Sequence, residues 1–71
     1  MSKVNIKDVF SKNLRQLMNE RLFTIAYLAE CTNISRATIY NYLKGKTVPN
    51  LEQLELIAEA FGVSRYLLIV E

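Results

Sequence analysis

Between Arg36 and Asn41 the chain sets a guanidinium, a methyl, a hydroxyl, a phenol and a carboxamide close together, on Arg36, Ala37, Thr38, Tyr40 and Asn41. These groups suit the reading of base-pair edges. Arginine offers a bidentate fork to the O6 and N7 of guanine, asparagine pairs with the N6 and N7 of adenine, and an alanine methyl packs against the methyl of thymine. Around them stand groups that hold phosphates: the hydroxyls of Thr24, Ser35, Thr38 and Thr47 and the ammoniums of Lys44 and Lys46. From Cys31 to Leu51 there are Arg36, Lys44 and Lys46 and no acid. Other chemistries lack their materials. With no histidine, one cysteine and two glycines, the chain has no zinc site, no Cys–His nucleophile pair and no glycine-rich phosphate loop. No cluster of acid, base and nucleophile marks an enzyme, and no cofactor or small-molecule ligand is evident.

The elements that must position these groups lie between Thr24 and Lys46. Thr24 caps a helix that begins at Ile25, with Phe23 and Leu28 as a hydrophobic staple and Ile25, Leu28 and Ala29 on its apolar face. The pattern fades at Thr32, and Asn33 is the turn residue because asparagine tolerates a left-handed backbone. Ser35 caps the next helix, predicted from Arg36 to Lys44, with Ile34 and Ile39 as its staple and Gly45 as its stop. Ile39, Tyr42 and Leu43 share one face of it. Ala37, Asn41 and Lys44 lie opposite, and Tyr40 stands at the side, where it reaches a phosphate or a base or packs on the helix surface. A three-residue turn and the small Ala29 let the two helices cross closely, as a helix-turn-helix requires.

The flanking elements are helical as well. Asn5 can cap a first helix, with Val4 and Val9 as its staple, or the start lies later, near Val9 or Phe10; residues 1–5 are expected to be a flexible arm. That helix runs to about Arg21 with Ile6, Phe10, Leu14, Leu17 and Met18 inward. After Pro49, Asn50 caps a further helix, Gln53 is placed to complete a capping box, and Leu51, Leu54, Ile57, Ala58 and Phe61 form its core stripe as far as Gly62. Val63, Ser64 and Leu68 repeat the staple and cap for a short last helix. There Tyr66-Leu67-Leu68-Ile69-Val70 is more apolar than a closing turn needs, and the excess is either a partner surface or terminal residues folded back on the core.

Seventy-one residues, 51% of them apolar, make one domain near the lower size limit for a self-sufficient core. The lone Cys31 is expected to be a small buried or half-buried apolar residue in a reducing compartment. No signal peptide and no membrane-length apolar run is present, so the expected location is cytoplasmic, on the nucleoid when bound to DNA. The net charge is only +2, but it is polarised. Residues 1–21 carry +3, residues 22–51 carry +2, and residues 52–71 carry −3 through Glu52, Glu55, Glu59 and Glu71. The acids gather at the end that would face away from a polyanion.

The stretch LAECTNIS followed by RATIYNYLKGKTVPNLEQLELIAEAFGVS resembles the Cro and phage-repressor type of helix-turn-helix, the lambda-repressor-like family. The similarity covers roughly Phe10 to Ile69. Leu28-Ala29, Ile34-Ser35, Ile39, Gly45-Lys46, Pro49, Leu51 and Gly62-Val63-Ser64 all fall at the family's spacing. The resemblance implies an all-α, five-helix domain that binds double-stranded DNA, with base-contacting positions carried over to Arg36, Ala37 and Asn41, and Leu68 and Ile69 closing the core. With Leu68 and Ile69 so used, Tyr66, Leu67 and Val70 are surplus. Because about three base contacts are too few for one domain to find one site, a homodimer reading the half-sites of a palindrome is expected, with these three residues as its candidate interface. A protein-interaction module of the same fold, such as the antitoxin of a toxin–antitoxin pair, is the alternative. Two positions depart from the family. Ile25 stands where many relatives carry a phosphate-gripping glutamine, and Met18 and Leu43 stand where many have a basic residue and a glutamate, so a hydrophobic contact is expected in place of an ion pair.

Overall fold

Four side-chain oxygens start the first four helices. Asn5 accepts from the Lys7 N–H at 3.0 Å, Thr24 from Tyr27 at 3.0 Å, Ser35 from Thr38 at 3.1 Å and Asn50 from Gln53 at 2.8 Å. Each bond satisfies a donor that the helix cannot pair within itself. The structure, a computed structural model, describes residues 4–71. It contains α1 (Ile6–Arg21), α2 (Ile25–Thr32), α3 (Arg36–Leu43), α4 (Leu51–Phe61) and α5 (Tyr66–Ile69). The first three residues of the expected arm lie outside the described residues, and the fifth, Asn5, is the cap of α1.

The first four helices end by turning left-handed, and α5 ends in the extended Val70. Asn33 (φ 62°) closes α2 and Gly62 (φ 70°) closes α4, as their residue types predict. Leu22 closes α1 at φ 58°, which its side chain does not advertise. Lys44, expected as the last residue of α3, is its C-cap, with Gly45 left-handed after it.

One core joins the five helices. Phe10, Leu14, Leu17 and Met18 of α1 meet Leu28, Ile34, Ile39, Tyr42, Leu54, Ile57, Ala58, Phe61 and Leu68. Phe10 sets its ring edge-on to Tyr42, with centroids 5.6 Å apart, and Phe23 stacks on Phe61 at 4.8 Å. α1 packs on α3 and α5, and α2 on α3 and α4, giving a compact all-α, five-helix domain.

Several expected inward positions are corrected. Ile6 and Leu51 are exposed, Leu51 by 75%. Each is the first residue of its helix and projects past the edge of the core. Val4, expected to staple onto Val9, is exposed too. Cys31 is exposed, because the eight residues of α2 bury one stripe, Leu28 and Thr32, and Cys31 stands off it. Gln53 does not complete a capping box: its Oε1 accepts the Tyr42 hydroxyl at 3.0 Å, a tertiary partner taking the group that the cap would have used. At α5 the cap position falls to Arg65, and Ser64 Oγ accepts from the Tyr66 N–H at 3.3 Å.

α1 also ties down the far ends of three other helices. Ser11 Oγ and Arg15 Nη2 each donate to Leu43 O at 2.6 Å, Arg21 Nη1 donates to Phe61 O at 2.6 Å, and Asn13 Nδ2 donates to Leu68 O at 3.0 Å and Val70 O at 2.8 Å. These carbonyls lie at or just past helix C-termini, where the ladder leaves acceptors unpaired and the helix dipole favours cations. The two bonds to Leu43 O fasten the end of α3 to α1.

Candidate nucleic-acid interface

The turn between α2 and α3 is held from inside. Thr32 is 3% exposed, and its hydroxyl donates to Leu28 O at 2.8 Å and accepts from the Ile34 N–H at 3.2 Å. Asn33 reverses the chain, Ile34 is buried beneath the turn, and Ser35 opens α3. Thr32 therefore sets where α3 begins. It was missed because a threonine at the end of an apolar stripe reads as fading amphipathicity, although a hydroxyl four residues after a helical carbonyl is a known back-bonding position.

α3 buries Ile39 and Tyr42 and turns its other side outward. Arg36, Ala37 and Tyr40 are exposed, and Thr38 and Asn41 are half-buried. All five predicted base-edge residues thus lie on the first two turns of one helix, none of them in the core. They are not equivalent. The Thr38 hydroxyl is bonded to Ser35 Oγ at 2.8 Å and so belongs to the cap, while Lys44 Nζ lies over the Tyr40 ring, 5.1 Å from its centroid. Thr24, Ser35, Lys44, Lys46 and Thr47 are all exposed. Thr24 and Ser35 stand at the N-termini of α2 and α3, where free N–H groups and the dipole attract anions.

The departures from the family also have positions. Ile25 is partly buried against the core, so the first turn of α2 offers an alkyl group where many relatives have an amide. Met18 is buried and Leu43 packs partly buried against the same core, in keeping with apolar packing at the lost ion pair. Arg15, a different helix 1 residue, supplies the cation at the end of α3 by bonding the Leu43 carbonyl.

On α5 and just after it, Tyr66, Leu67 and Val70 are 50–58% exposed, whereas Leu68 is fully buried and Ile69 half-buried. Leu67 and Val70 edge a groove of about 350 Å³ that runs along Asn13, Gln16 and Glu20 of α1. Glu52, Glu55 and Glu59 line the exposed side of α4, and Glu55 pairs with Arg65 at 3.6 Å. Burial raises the Tyr42 phenol above its usual pKa, and the neighbouring Cys31 side chain raises that of Tyr27. Among the described residues no group of histidine, cysteine and carboxylate side chains could hold a metal ion, and no helix is long and apolar enough to cross a membrane.

Comparison with known proteins agrees with this geometry. Neither a curated protein nor a solved structure matches the chain. A family model described as "Helix-turn-helix" matches residues 14–68, from the middle of α1 to α5. The chain thus belongs to the helix-turn-helix family of the Cro and phage-repressor type, whose domains are non-catalytic DNA-binding modules.

Proposed function

We propose that this protein is a sequence-specific transcriptional regulator, a small Cro- or repressor-like protein that binds a palindromic operator as a homodimer through the major groove. It acts in the cytoplasm, on the nucleoid. The observation that carries this reading is the outward side of α3: Arg36, Ala37 and Asn41 lie off the core in a stretch without acids, while Ile39 and Tyr42 anchor the helix from behind. Arg36, Ala37 and Asn41 read base edges, with Thr38 and Tyr40 along the margin of the same face. Thr24, Ser35, Lys44, Lys46 and Thr47 hold phosphates and set the register.

The need for a dimer follows from magnitude. About three reading side chains, each worth roughly 1–3 kcal/mol of discrimination, are too few for one domain to find one site in a genome. Two copies related by a two-fold axis double the reading and fit half-sites about one helical turn apart. Tyr66, Leu67 and Val70 are the proposed interface, exposed apolar side chains on an end otherwise rich in acids. The same surface would serve an antitoxin holding its toxin, and that second reading predicts weak salt dependence on DNA.

Selection of bound duplexes from a random pool tests the proposal. It should return one motif with two-fold symmetry, and binding to it should weaken with salt at a log–log slope of about −0.9 per phosphate contacted. Arg36→Ala should relax base preference at one half-site position, and Lys46→Ala should weaken all sequences alike. A pool that yields no motif, or a slope near zero, would overturn the reading.

A further inference from the structure

Lys44 closes α3, and Tyr40 stands one turn before it on the exposed side, with the ammonium over the phenol ring 5.1 Å from its centroid. No carboxylate draws the ammonium away, since among the described residues the one ion pair joins Arg65 and Glu55. The ring holds the lysine instead, narrowing the rotamers of a long side chain at an open surface. The C-terminal end of a helix ordinarily repels anions. Here the Leu43 carbonyl is already taken by Ser11 Oγ and the Arg15 guanidinium, both at 2.6 Å, so its negative character is offset by a neighbouring positive charge.

The separation of the two donors suits one ligand. A phenol oxygen stands about 2.8 Å from its own ring centre, so the Tyr40 hydroxyl and the Lys44 ammonium are at most about 8 Å apart. A phosphate diester has free oxygens about 2.5 Å apart, and two hydrogen bonds of about 2.8 Å let it span such a gap. A base edge fits less well. The ammonium occupies one face of the ring and removes it as a stacking platform, and a hydroxyl that both donates and accepts discriminates poorly between bases.

Building on the DNA reading proposed above, we infer that Tyr40 and Lys44 form one binding site for a single backbone phosphate at the C-terminal end of α3. Tyr40 donates its hydroxyl hydrogen and Lys44 supplies the charge. Tyr40 therefore governs affinity and not base preference, although it lies beside the reading residues.

The test compares wild type, Tyr40→Phe, Lys44→Ala and the double variant on the selected operator and its single-base variants, by fluorescence anisotropy over a range of salt. Tyr40→Phe removes one exposed atom, so its thermal midpoint should match wild type. It should weaken every sequence by the same factor, about tenfold per bound subunit, with the salt slope unchanged. Lys44→Ala should reduce the slope by about 0.9, and the Tyr40→Phe loss should shrink in its background. A Tyr40→Phe protein with altered preference at any base position, with unchanged affinity, or with losses that simply add to those of Lys44→Ala overturns the inference. Arg36→Ala, run alongside, separates the two readings. If it leaves base preference intact, the proposed reading face fails, yet a uniform Tyr40→Phe loss that shrinks with Lys44→Ala still marks the phosphate site. A wild type that binds no duplex overturns both.

Discussion

Replacing Thr32 with valine keeps the outline of the side chain and removes the hydroxyl that closes the helix-turn-helix. Two bonds go with it. Leu28 O retains the ladder partner of any helical carbonyl, so its loss is small. The Ile34 N–H, bonded to Thr32 Oγ1 at 3.2 Å in a buried turn, is left without its acceptor, at a cost of about 1–3 kcal/mol. The added methyl buries apolar surface and returns about 0.8 kcal/mol, since the site is almost closed to solvent. The net loss of about 0.2–2 kcal/mol, about 1 kcal/mol at the middle of that range, corresponds, for a domain of this size, to a thermal midpoint lower by about 4–8 °C. Urea and thermal melts measure the stability directly, and amide exchange locates it: the Ile34 N–H should exchange faster in the variant than in wild type. Equal midpoints together with an unchanged Ile34 exchange rate would refute the claim that this hydroxyl pins the turn.

Other perturbations follow from the same geometry. Leu22→Gly relieves a left-handed leucine that is 87% exposed, and should raise stability by about 0.5–1 kcal/mol after the entropy of an unfolded glycine is counted, seen as a higher urea midpoint. Leu67→Glu places a carboxylate in the proposed interface and should lower the mass found by light scattering while the helical circular dichroism stays the same; a particle of unchanged size would remove α5 from the interface. Because burial raises the folded-state pKa of Tyr42 above the ordinary 10.0, its contribution to stability is complete below pH 10 and declines as the pH climbs past that value. Wild type should lose stability more steeply than Tyr42→Phe in melts taken above pH 10.

Much of what is local was legible in the sequence. A side-chain oxygen three residues before the N–H it captures is a spacing on the page, so Thr24, Ser35 and Asn50 stood out as caps, and Asn33 and Gly62 as left-handed ends. The outward side of α3 followed from helical period alone. Contacts between distant residues left no such trace. Ser11, Asn13, Arg15 and Arg21 look like ordinary polar residues of an amphipathic helix, yet each reaches a carbonyl 28 to 57 positions away. Gln53 had the right spacing for a box and lost it to Tyr42, and Leu22 held a conformation that its residue type argues against. At the candidate site, residue types suggested partners for Arg36 and Asn41, whereas the stacking of Lys44 on Tyr40 and the bond between Thr38 and Ser35 depend on side-chain rotamers that spacing does not set.

The bonds from Asn13 to the carbonyls of Leu68 and Val70 span 55 and 57 positions of chain. During synthesis α1 emerges before the other four helices, and the part of its surface that meets α5 stays uncovered until the stretch after Ser64 has left the ribosome. The reading helix rests on that same α1. A nascent chain halted before its last helix would therefore present α3 on an unfinished support, and the capacity to bind would arrive late and all at once.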